Sequence, residues 1–166
     1  MFEVAGSEPD AQELVFSRVF AAPAVTVFRA WTDPKQLVRW WGPRDFSLTI
    51  NTMDVTVGGI WDYVLHGPDG MDYPNRAVFE EVDPPIRLVF FNSGGHVSDR
   101  HLTCRMVVTF EDKVLEGNGM HTLVTLRMQF ETSVALDRAK ARGAEEGGQE
   151  SFARLSEWLK CRGPYS

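Results

Sequence analysis

Two runs of alternating residues late in the chain constrain its fold most. In the first, Leu102, Cys104, Met106, Val108 and Phe110 alternate with His101, Thr103, Arg105, Val107 and Thr109. In the second, Val124, Leu126, Met128 and Phe130 alternate with Leu123, Thr125, Arg127 and Gln129. A period of two with one apolar face is the pattern of antiparallel strands covered on one side only. Glu116-Gly117-Asn118-Gly119 supplies the turn between them. A sheet of this kind needs a second layer, and the segment Ser133 to Lys160 has the pattern to provide it. Phe152, Leu155 and Leu159 fall at i, i+3 and i+7 on one helical face. Gly143 and Gly147-Gly148 interrupt that segment, each costing roughly 1 kcal/mol against Ala in a helix interior. A kink or loop is therefore expected over 143–148, followed by a firm final helix.

The opening of the chain adds a strand and two helices. Leu14, Phe16, Arg18 and Phe20 alternate with Val15, Ser17 and Val19. Pro23 then fixes φ where a helix begins, and its missing N–H costs nothing there. Val27, Ala30 and Trp31 share a helical face, and Asp33-Pro34 ends the run. A second short helix is expected from Lys35 to Trp41, stopping at Gly42-Pro43. Adjacent Trp40 and Trp41 cannot both point inward from a short helix, so one is expected at a cavity mouth or an interface. Further strands read as Phe46–Thr52, Ile60–Leu65, Tyr73–Val82 and Arg87–Asn92, with Gly58-Gly59, Gly67-Pro68-Asp69-Gly70 and Asp83-Pro84-Pro85 between them. No repeat or linker divides the 166 residues, and one domain is expected.

A net charge of −6 gives no electrostatic reason for a nucleic acid or anionic membrane partner. No apolar run reaches the roughly 18 residues that span a bilayer. The N-terminus lacks the layout of a signal peptide, and a cytoplasmic location is the expectation. Cys104 and Cys161 cannot build a disulfide framework, and neither has the His and acid company of a nucleophile.

Three groups of residues carry a resemblance. Ala22-Pro23, Ala30-Trp31-Thr32-Asp33-Pro34 and Trp40-Trp41-Gly42-Pro43 form the first. Val57-Gly58-Gly59-Ile60-Trp61 with Gly67-Pro68-Asp69-Gly70 forms the second, and Glu81 to Leu88 the third. Together they resemble the family related to the activator of Hsp90 ATPase, a branch of the START-like, Bet v 1-like superfamily. The similarity spans roughly residues 12–160. It implies an α+β helix-grip fold: a curved antiparallel sheet of about seven strands around a long C-terminal helix, enclosing an internal cavity. In this family the last helix usually opens with Gly-Trp; here the matching pair is Gly148-Gln149, so an aromatic ring at the mouth is absent.

The four histidines, His66, His96, His101 and His121, form no H-x-x-x-H pattern, and no metal or cofactor is expected. Gly58-Gly59 and Gly94-Gly95 are turn glycines rather than phosphate loops. Asp54, Asp62, Glu80 and Glu81 read as surface charges, and no catalytic residue is assigned. The inner face of the sheet is left as the candidate site. Parity puts Trp61, Tyr63 and Leu65 on one side, and the family layout makes that side inward. Tyr73 and Asn75 join on the adjacent strand, with Met106 and Met128 as deformable wall, Phe152 from the last helix, and Trp40 or Trp41 near the mouth. A mostly apolar space with a few polar groups is what ligand sites look like.

The expected function is binding of a small hydrophobic or amphipathic molecule between sheet and C-terminal helix, with Tyr63→Phe weakening a polar-headed ligand and leaving folding nearly intact. One alternative is a chaperone-directed interaction module, which the resemblance suggests but the chain length argues against. The other is a polyketide cyclase or aromatase type of enzyme. An inward carboxylate or histidine beside Tyr63 favours the enzyme; an apolar wall favours binding. A two-fold homodimer is the expected assembly, motivated by Trp40-Trp41 and Phe90-Phe91.

Overall fold

The computed structural model describes residues 12–94, 103–115 and 119–161. Strand β1 (Glu13–Phe20) leads through Pro23 into helix α1 (Ala24–Thr32) and the short α2 (Pro34–Leu37). Strands β2 (Ser47–Met53), β3 (Ile60–His66), β4 (Asp72–Asp83), β5 (Arg87–Gly94), β6 (Cys104–Leu115) and β7 (Gly119–Gln129) follow, then α3 (Ser133–Ala141) and α4 (Ala144–Cys161). The seven strands form one antiparallel sheet in the order β1-β7-β6-β5-β4-β3-β2. The expected helix-grip architecture is the observed one. Register irregularities at Ile50/Thr52 and Phe79/Glu81 add local bends to the curved sheet.

The concave face carries the core. Phe16, Phe20, Val108, Phe110, Val124 and Leu126 point into it from the sheet, and Phe152 and Leu155 answer from α4. Phe152 meets Phe16 and Phe20 at 6.4 and 5.6 Å between ring centroids, an edge-on geometry that suits the ring quadrupoles. Helix α1 has no side-chain cap of its own; Asp112 of β6 accepts from the Ala24 N–H at 3.1 Å instead. Among the described residues, no helix is long and apolar enough to cross a membrane.

Three local expectations are corrected. The second helix ends at Leu37, not Trp41. Arg39 and Trp40 donate to carbonyls only three residues back, Gln36 and Leu37, so the chain tightens into turns. Freed from helical spacing, both tryptophans turn inward: Trp40 is 0% exposed and Trp41 8%. The hairpin of β6 and β7 also runs further than its apolar alternation. Beyond Phe110, Asp112 pairs with Thr122 and Lys113 with His121, so the ladder continues where the burial pattern has stopped. Leu102, His96, His101 and residues 116–118 of the expected turn lie outside the described residues. Finally, the helical break is confined to Arg142-Gly143, where Gly143 takes φ +87°. Gly147 and Gly148 lie within α4. A β-carbon at Gly148 would sit 2.6 Å from the Phe16 ring, so the glycine lets α4 approach β1.

Candidate ligand cavity

The concave sheet encloses a cavity of about 260 Å³ at the end where β3 and β4 face the joint between α3 and α4. The alternation of β3 brings Tyr63 and Leu65 to its wall, and that of β4 brings Tyr73 and Asn75. Met106 of β6 and Leu126 and Met128 of β7 form the floor. Trp41, Gly42, Pro43 and Phe46 make one side of the mouth. The other side is Ala139, Arg142, Gly143, Ala144, Gly147, Gly148 and Ser151.

Of the side chains expected at the site, Trp41, Tyr63, Tyr73, Asn75, Met106 and Met128 meet around this space. Trp40, Trp61 and Phe152 do not line it. Trp61 stacks behind Tyr63, with centroids 4.2 Å apart and planes 22° from parallel. Trp40 packs against Trp31 at 4.8 Å and donates its indole N–H to the Ala30 carbonyl. Phe152 is consumed by Phe16, Phe20 and Trp31. Strand parity for Trp61 and helical spacing for Phe152 give the correct face, but rings fill the far end of that face. Phe46, the Arg142-Gly143-Ala144 joint and Asn92 belong to the site without being expected there. Asn92 shares the parity of Leu88 and Phe90, and a polar residue in an apolar register is a usable signal.

The polar atoms form a chain. The Tyr63 hydroxyl donates to Asn92 Oδ1 at 2.9 Å, Asn92 Nδ2 donates to Asn75 Oδ1 at 3.2 Å, and Asn75 Nδ2 donates to the Tyr73 carbonyl at 2.9 Å. Burial pushes the Tyr63 phenol well above its ordinary range, with the Trp41 indole acting in the opposite direction. Burial also pushes the Cys104 thiol up to about 12. Tyr63 is therefore a neutral phenol at any physiological pH, and its proton is already engaged.

The mouth is held by α4. Arg154 donates to the carbonyls of Gly42, Pro43 and Phe46 at 2.9, 3.0 and 3.5 Å, and to that of Arg39 at 3.4 Å. Ser151 accepts from the Gly42 N–H, and Glu150 from the Arg44 N–H. Gln149 is exposed on α4.

The expected surface charges are paired away from the cavity: Asp62 with Arg76, Glu80 with Arg105, and Glu81 with Arg87. Asp54 is exposed and accepts from Thr56. His66 bridges Thr49 and Asp72 on the outer face at 2.8 Å to each. Among the described residues no cluster of His, Cys, Asp and Glu forms a metal site, and no carboxylate or histidine lines the cavity.

Comparison with solved structures finds the same fold in bacterial proteins. A solution structure from Arthrobacter aurescens is 27% identical, with a TM-score of 0.81, covering 96% of this chain and 92% of that one. A crystal structure of a Mycobacterium smegmatis protein is also 27% identical, with a TM-score of 0.78 over 93% and 94% of the two chains. The AHSA1 protein of Silicibacter pomeroyi, at 21% identity, TM-score 0.69 and 91% and 99% coverage, shares the fold. No curated protein matches the chain. The family model described as Activator of Hsp90 ATPase homolog 1-like protein matches residues 21–160. With the expected fold in place and the match spanning every element from α1 to α4, the chain belongs to the family of activator of Hsp90 ATPase homolog 1-like proteins.

Proposed function

We propose that the protein binds a small hydrophobic or amphipathic molecule in the cavity between β3, β4, β6, β7 and the α3–α4 joint. The observation that carries the reading is the composition of the wall: aromatic rings and thioethers, with a few neutral polar groups converging from Tyr63, Asn75 and Ser151. It also favours binding over acid-base catalysis. Proton transfer needs a titrating group within reach of the substrate, and no carboxylate or histidine lines the space among the described residues. The Tyr63 proton is committed to Asn92, in a chain that ends on a backbone carbonyl.

Native mass spectrometry of the protein purified from its own host tests the reading. A retained small molecule, lost in a Met106→Trp variant that fills the floor, is the expected result. Retention of the same mass by both proteins would place the molecule elsewhere. A bare protein that also takes up none of a panel of apolar compounds would overturn the reading.

A further inference from the structure

The cavity is short because rings stop its far end. Trp61 lies behind Tyr63 and tilts against Trp41 at 5.6 Å, while Trp31 packs on Trp41 at 5.4 Å. Trp31 and Trp61 are each 2% exposed, so the open space does not continue toward α1. A dry cavity of roughly 150 Å³ accommodates benzene. The 260 Å³ here admits one or two fused rings and leaves no run for a long acyl chain.

The wall also selects by charge. Among the described lining residues the one formal charge is Arg142, which is exposed at the mouth. Tyr63, Asn75 and Ser151 are neutral. A carboxylate pushed in beside them, beyond Arg142 at the mouth, loses its hydration with no cation at that depth to replace it.

The direction of the polar chain then sets which hydrogen-bonding group is welcome. The Tyr73 carbonyl can only accept, so the Asn75 amide must turn its nitrogen toward it. That leaves Asn75 Oδ1 for Asn92, which must present its own nitrogen there and its oxygen to Tyr63. The phenol hydrogen and one Asn75 hydrogen are thereby spent inside the wall. Even with the Trp41 indole acting on the phenol oxygen, lone pairs on Tyr63 Oη and Asn75 Oδ1 are left over. Resting on the reading of this space as a binding cavity, we propose that its ligand is a compact, uncharged, one- or two-ring aromatic molecule whose hydroxyl donates to the Tyr63–Asn75 pair.

Isothermal titration of the wild-type protein with naphthol, its methyl ether, naphthoate and palmitate decides this. Naphthol is expected to bind about tenfold more tightly than the ether, the worth of one good neutral hydrogen bond. It should also exceed naphthoate and palmitate, and Met106→Trp should abolish its uptake. Equal affinity for naphthol and the ether overturns the donor assignment. Tighter binding of naphthoate or palmitate overturns the neutral aromatic class, and undiminished naphthol uptake by Met106→Trp places the probe outside the cavity. A long-chain or charged amphiphile retained from the host would leave the binding reading standing while overturning the aromatic one. A protein that retains nothing and takes up no member of the panel sinks both.

Discussion

The Tyr63 hydroxyl donates to Asn92 Oδ1 across 2.9 Å, at a place where Asn92 has no exposed surface at all. This bond changes what substitution at position 63 does. From the sequence alone, Tyr63→Phe is expected to leave folding nearly intact because the ring is kept. The structure adds that Asn92 Oδ1, which has no exposed surface, loses its phenol donor. A loss of about 1–3 kcal/mol of stability is expected, the usual cost of removing one partner of a buried hydrogen bond. It should appear as a lower urea midpoint with an unchanged slope. A midpoint equal to that of the wild type would show that the bond contributes nothing.

Periodicity makes the strands legible and the family resemblance tells which face is inward; together they bring Tyr63, Asn75, Met106 and Met128 to one side of the sheet. Three things were not legible, each because tertiary contact decides it. Trp40 and Trp41 were expected to diverge on a helix, but the helix stops at Leu37 and the turn that follows buries both rings. Trp61 has the correct strand parity and Phe152 the correct helical face, yet neighbouring rings claim them before the cavity begins. Gly147-Gly148 read as a helix break, whereas the positive φ belongs to Gly143 and the pair lies within α4. Intrinsic propensity is a weak prior that such packing overrides.

The same glycine pair gives opposite predictions one residue apart. A β-carbon at Gly148 meets the Phe16 ring at 2.6 Å, so Gly148→Ala must push α4 off β1 or displace the ring. Overpacking of this kind costs about 1–3 kcal/mol. At Gly147 the nearest atom is Pro43 Cγ at 3.4 Å, an ordinary contact, and the backbone is helical. Gly147→Ala should therefore stabilise the protein by up to about 1 kcal/mol through helix propensity, while adding a methyl group to the cavity wall. Thermal unfolding of the two variants checks the pair; a shift of the same sign in both would refute the contact geometry.

Cys104 is 1% exposed with its thiol pushed up to about 12 by burial, whereas Cys161 is exposed near the end of α4. Since the thiolate is the reactive form, a raised pKa leaves Cys104 protonated and inert at about pH 8. Iodoacetamide should add one group to the native protein, at Cys161, and a second only after denaturation. Peptide mapping that finds modified Cys104 in native protein would mean that the core around β6 opens readily.

Arg154 is the residue on which the shape of the mouth depends. Its guanidinium reaches four carbonyls of one loop, those of Arg39, Gly42, Pro43 and Phe46, and its pKa is lowered chiefly by burial. The planar fork of arginine can serve several acceptors at once, which an ammonium on a flexible stem does less well. Arg154→Met keeps much of the apolar stem but removes every donor, so the loop of residues 39–46 loses the charge-assisted bonds that tie it to α4. A stability loss of about 1–3 kcal/mol is expected. A purely global effect would raise cleavage everywhere in proportion. Release of the loop should instead concentrate new proteolytic cuts within residues 39–46, with Arg154→Lys intermediate between Met and the wild type. Cleavage sites distributed as in the wild type would show that Ser151 and Glu150, which hold the N–H groups of Gly42 and Arg44, keep the mouth in place without Arg154.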